Sequence, residues 1–207
     1  MIKVKVDGSD WTQDLAAART MSELIELVKA SIDPDNIITS ITINGTDPVE
    51  SDWRVALTVQ GDSTVEISTG SKGSYINERL GTAVLITEQL INEFTRARSL
   101  YQEGISKDGN TAFGRSVNDL KVFLEWYYSV LALVPGAQSA REEFRTRVSE
   151  VTSICEQLFQ QQLYQSWWAL GQTIQNQLEP KLGSLRDYCA NFAQSSESGN
   201  QSGGSVQ

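Results

Sequence analysis

Cys155 and Cys189 are the only thiols in this 207-residue chain, and histidine is absent altogether. A thiol becomes a nucleophile at neutral pH only beside a base or cation that lowers its pKa. The commonest such base is missing. Ser-His-Asp and Cys-His catalysis and imidazole metal sites go with it. Both cysteines fall inside helical patterns and read as reduced thiols packed as small hydrophobes.

The other chemistry-bearing groups have equally plain readings. Asp33-Pro34-Asp35-Asn36 puts two carboxylates in a loop without the further ligands of a calcium site. Gly70-Ser71-Lys72-Gly73 lacks the Lys-Ser/Thr ending of a phosphate loop and reads as a linker. Glu142, Glu143 and Glu150 interleave with Arg141, Arg145 and Arg147, the pattern of a solvated helix face with pairs such as Glu143–Arg147. No two carboxylates share an apolar setting that would part their pKa values for acid–base work. These residues predict no catalytic group, cofactor, metal or small-molecule ligand.

One stretch stands apart. Residues 157–178 carry no charged side chain and eight glutamines. That is too polar for a membrane span. A solvated helix would carry Lys, Glu or Arg. Two readings follow. The stretch is enclosed within its own bundle, or Tyr164, Trp167 and Trp168 anchor a protein partner, since large aromatics and depleted charge mark interface cores.

The elements that must position these residues fall in two parts. Ile2, Val4 and Val6 alternate with Lys3 and Lys5, a half-buried strand. Asp7-Gly8 is a turn, and a weaker strand continues to about Leu15. Thr20 with Glu23 forms a capping box opening a helix with Leu24, Leu27 and Val28 on one face. Asp33-Pro34 closes it. Ile37 to Ile43, Trp53 to Val59 and Thr64 to Ser68 read as strands, with turns at Asn44-Gly45 and Gly61-Asp62. Trp11 and Trp53 read as core residues.

Ile41-Thr42-Ile43-Asn44-Gly45 and the stretch from Leu57 to Ile67, with Gly61-Asp62 and Val65-Glu66-Ile67, resemble the β-grasp family of ubiquitin-like proteins and small sulfur carriers. The resemblance covers residues 1–70 and implies a β-grasp fold. It does not imply the family's activity, because the reactive diglycine does not follow Ile67. Gly203-Gly204 could become such a terminus by trimming, which would make the chain a modifier or sulfur carrier. Residues 71–74 read as a linker.

From Tyr75 the period is helical. Ile76, Leu80, Ala83, Thr87, Leu90, Phe94, Ala97 and Tyr101 step by 4 and 3. Lys107-Asp108-Gly109-Asn110 reads as a break. Phe113, Val117, Leu120, Leu124, Tyr127, Leu131 and Val134 repeat the stepping, and Pro135-Gly136 breaks it. Ser139 with Glu142 reads as the cap of a third helix with Phe144, Val148, Val151, Cys155 and Leu158 inward. Leu163, Trp167, Leu170, Ile174 and Leu178 keep the stripe, so that helix runs on to 178 or turns near 160–166. Glu179-Pro180 suits a helix start, followed by Leu182, Leu185, Cys189 and Phe192. The fold predicted is α+β: a β-grasp domain (1–70), then an antiparallel bundle of three to four helices (75–193) and a disordered tail (194–207). The helical pattern and length resemble small all-helical export chaperones such as the flagellin chaperone.

Net charge is −9, and acid outnumbers base both before and after residue 72. Nucleic acid and anionic membrane are therefore not expected partners. With no signal-peptide pattern and no long apolar run, a cytoplasmic location is expected. The function predicted is a non-catalytic interaction protein: an adaptor, an assembly or export chaperone, or a structural subunit. It would bind a protein partner or its own copies. An enzyme with a site between the two parts is the remaining alternative.

Overall fold

The computed structural model describes residues 2–11, 18–54 and 62–201. The chain is α+β and divides into two compact units, Met1–Tyr75 and Ile76–Gln207.

The first unit is a mixed sheet with one helix. Its elements are β1 (Lys3–Val6), β2 (Ser9–Asp10), α1 (Met21–Ser31), β3 (Asn36–Ile43) and β4 (Thr64–Ser71). The sheet order is β2-β1-β4-β3. β1 runs parallel to β4 and antiparallel to β2, and β3 runs antiparallel to β4. Asp7-Gly8 turns the first hairpin with positive φ at both residues, a geometry that matches the twist of the flanking strands. Asp7 then accepts from both the Thr69 amide and its hydroxyl at 2.7 Å. Thr20 caps α1 by accepting from the Glu23 amide, and Glu23 accepts from the Arg19 amide. Met21, Leu24, Ile25 and Val28 of α1 are buried with Val4, Val65 and Ile67, and Trp11 and Trp53 pack against this core.

Three expectations change here. Glu50–Trp53 is a 3-10 turn, so Trp53 does not start a strand; residues 55–61 and 12–17, where the remainder of two expected strands falls, lie outside the described residues. β4 extends to Ser71 and α2 (Lys72–Gln102) begins at once, so residues 71–74 form no loop. The Ser71 hydroxyl accepts from the Ser74 amide at 3.1 Å. It satisfies one of the orphan donors of a helix start, which is why a serine-rich stretch here is a cap.

The second unit is bundle-like. After α2 come α3 (Ser106–Leu133), α4 (Gln138–Leu163), α5 (Trp167–Thr173) and α6 (Glu179–Gln201). One apolar core spans all of them. The stripe read in α2 from Ile76 to Tyr101 is buried throughout. In α3 the buried face includes Ser116, Phe123 and Val130, while Val117 and Leu124 sit at its margin. Ring pairs run in opposite directions along neighbouring helices: Phe113 meets Phe159 at one end of the α3–α4 pair, and Tyr127 meets Phe144 towards the other. Among the described residues no helix is long and apolar enough to cross a membrane.

Helix boundaries depart from expectation in four places. α2 ends at Gln102, before Lys107-Asp108-Gly109-Asn110, because Gly104 takes φ +80°. The Gly104 amide then donates to Tyr101 O and the Ile105 amide to Leu100 O, the paired bonds that close a helix over a left-handed residue. α4 starts at Gln138 with no side-chain cap, so Ser139 lies inside its first turn. Glu179-Pro180 begins α6 as read, but no break in the helical backbone precedes it. Residues 167–201 are helical throughout, with a π-helical turn at Ile174–Leu178. The Glu179 amide reaches back to Ile174 O. This wider turn comes directly before Pro180, whose ring would clash with the preceding turn of a regular helix and which has no amide hydrogen to donate. Residues 194–201, read as tail, continue α6; Gly203-Gly204 lies outside the described residues.

Burial pushes the Cys189 thiol up to about 12 and the Cys155 thiol up to about 11. Tyr101 and Tyr188 are likewise raised to about 12, chiefly by burial. Tyr127, whose hydroxyl is buried beside Cys189, shifts the same way. Folding thus holds these protons more tightly than the unfolded chain does, whose thiols and phenols ionise near 9.0 and 10.0. Their contribution is complete below the unfolded values and is lost as pH rises towards the folded ones. The expected result is a melting temperature that is level up to about pH 9 and falls steeply between pH 9 and 12. Far-UV circular dichroism melts across that range check it; a level profile to pH 12 would contradict the burial described.

Candidate interaction surface

The charge-free stretch is bent. α4 stops at Leu163, and α5 sets off at Trp167. Gln165 makes the corner with φ +53°. Its amide donates to Gln162 O, and the Ser166 amide donates to Gln161 O. This is the same closing motif as at Gly104, built on a residue with a side chain. A left-handed conformation costs an ordinary residue roughly 1 kcal/mol or more. Gln165→Gly is therefore expected to raise the stability of the helical unit by about 1 kcal/mol. Urea unfolding followed by circular dichroism measures it; a loss of stability would show that the glutamine side chain is needed at the corner.

The corner separates the three aromatic residues singled out in the sequence. Tyr164 is 74% exposed and Trp168 is 71% exposed. Trp167 turns inward and stacks on Tyr101, with ring centroids 5.7 Å apart and planes 6° from parallel. It supports the surface from beneath. Leu163 is 72% exposed and Phe159 is 47% exposed, one helical turn apart on α4. The edge of Phe159 reaches the Phe113 ring, which anchors it to the core. Periodicity assigned Leu163 to the buried stripe. The bend takes it out, because the stripe has to restart in a new direction. Leu170, Ile174 and Leu178 resume it as buried residues. The stretch is thus enclosed on one face of α5 and the π-helical turn, where Leu170, Ile174 and Leu178 are buried, and open at Gln175, Asn176 and Gln177 and at the corner.

A polar node holds the corner in place. Asn110 Oδ1 accepts from Tyr101 Oη at 2.8 Å and from Gln162 Nε2 at 3.0 Å. One carboxamide oxygen thereby ties α2 and α4 to α3. Gly109 beside it is buried, and a Cβ there would lie 3.0 Å from the Tyr101 ring. The ring thus sits between Gly109 and Trp167. Gln161 Nε2 donates to Thr173 Oγ1 at 2.9 Å, joining α4 to the far end of α5. In the sequence Gly109 and Asn110 read only as a break, since glycine beside asparagine is turn chemistry.

Elsewhere polar side chains pair between and along the helices. Glu179 Oε1 lies 3.0 Å from Arg98 Nε and accepts from Thr95 Oγ1, pinning the π-helical turn to α2. Glu143–Arg147 and Glu142–Arg145 pair along α4 as read. Among the described residues no group of His, Cys, Asp or Glu could hold a metal ion.

No family model matches the chain, and no curated protein or solved structure is significantly similar to it.

Proposed function

We propose that the chain is a non-catalytic protein-interaction protein whose working surface is the α4–α5 corner. The observation that carries this reading is the cluster of Phe159, Leu163, Tyr164 and Trp168, all exposed, inside a segment with no charge. Exposed apolar side chains are ordinary when scattered. Four within ten residues, held by buried supports and by a left-handed Gln165, are a different matter. Backbone strain that the surroundings enforce clusters at functional sites.

We read the first unit as a β-grasp domain. The parallel pairing of β1 with the last strand, the β2-β1-β4-β3 order and the single helix between hairpin and third strand support it. We read α2 to α6 as an antiparallel bundle, supported by the opposed ring pairs. A cytoplasmic adaptor, an assembly or export chaperone and a structural subunit all fit this division of labour.

Affinity capture from lysate tests the reading, with the full chain and Trp168→Glu as parallel baits. At least one protein, the chain itself included, should be recovered with the natural bait and lost with the variant. Identical recovery on both would remove the corner from the account. Trp168 is exposed, so the variant should melt within about 0.5 kcal/mol of the natural chain.

A further inference from the structure

Resting on that reading, we propose that the corner's occupant is a second copy of this chain, joined corner to corner across a two-fold axis. Charge decides between occupants. Each copy carries a net charge of −9, so two copies repel over most of their surfaces. The corner is the exception, because residues 157–178 carry no charge. A partner recruited by complementarity to this acidic chain would be basic, and the uncharged face itself offers a basic protein no carboxylate to pair with.

A second copy, by contrast, presents the same neutral face by construction. Its polar groups are also self-complementary. Gln157, Gln160 and Gln165 are exposed at the corner beside the aromatic residues. A carboxamide both donates and accepts, so glutamine faces glutamine favourably where a carboxylate would face a carboxylate at a cost. A two-fold interface demands such self-complementarity, since the same patch serves both sides. Charge returns just outside this stretch, at the exposed Glu156 directly before Gln157, and near Asn110 at the exposed Glu103, Lys107 and Asp108. Large aromatics with depleted charge at the centre are the composition of an interface core.

Sedimentation velocity on the full chain tests this, from about 1 μM to about 100 μM. The natural chain should pass from monomer to dimer. Added salt should strengthen the dimer by screening the net charge, the reverse of an ion-paired interface. Trp168→Glu, which places carboxylates in a paired neutral face, should weaken the dimer at least about tenfold. Leu85→Glu, at an exposed site on α2, should not. A natural chain that stays monomeric throughout overturns the proposal, as does a dimer indifferent to Trp168→Glu. A monomer whose Trp168→Glu variant still loses a lysate protein overturns self-pairing and keeps the docking surface. A monomer with no such loss overturns both.

Discussion

Replacing Tyr101 with alanine should cost the helical unit about 3–5 kcal/mol. The ring is buried, sits within 3.0 Å of where a Gly109 Cβ would be, and stacks on Trp167. Its removal leaves a cavity where α2, α3 and α5 meet and takes the floor from under the corner. The two halves of the side chain can be separated. Tyr101→Phe keeps the stack and loses only the hydroxyl donated to Asn110. That change should cost about 1 kcal/mol, since Asn110 keeps its bond from Gln162. Urea unfolding of the two variants measures both values. Equal losses would mean that the hydrogen bond, and not the ring, supports the corner. Tyr101→Ala should also weaken whatever binding Trp168 mediates, although Tyr101 is not at the surface.

Phe144→Ala should be as damaging, by about 3–5 kcal/mol, at the other end of α4. Phe144 is fully buried. It meets Tyr127 of α3 edge-on at 5.0 Å and stacks against Tyr188 of α6 at 6.1 Å. Aromatic pairs of this geometry contribute beyond their buried area. Tyr188 is held independently, by donating to Ala140 O and by Arg147 over its ring at 4.9 Å, so the site cannot easily collapse on the cavity. The variant should lose stability and leave the corner's binding intact below its melting temperature. Loss of binding without loss of stability would show that the two ends are coupled, which independent sites are not.

Much of the framework was legible because it is periodic. The α2 stripe, the α1 cap and the turns at Asp7-Gly8 and Asn44-Gly45 rest on local rules that the surroundings do not override. The misread places are those where one residue type serves two purposes. Gly109 resembled a helix breaker, but glycine also admits a close ring, and only the fold brings Tyr101 there. Pro180 marked the start of α6, but not the π-helical turn before it, which keeps the backbone helical where a proline would otherwise break it. The bend at 164–166 carried no glycine or proline at all. Gln165 adopts the left-handed conformation that glycine usually marks, so the sequence left two courses open. Of the three aromatic residues in the charge-free stretch, spacing alone could not tell that Trp167 is the support and Trp168 the surface, because their order around the helix depends on where α5 begins.

The most direct measurement is site-specific photo-crosslinking in living cells, with a photoreactive amino acid placed in the full chain at Tyr164 and, separately, at Leu85. Both sites are exposed. A discrete protein adduct is expected from position 164, of a mass fitting a second copy of the chain, and none of comparable yield from position 85. Adducts of equal yield from both positions, or none from 164, would contradict the claim that the α4–α5 corner is the surface on which this protein works.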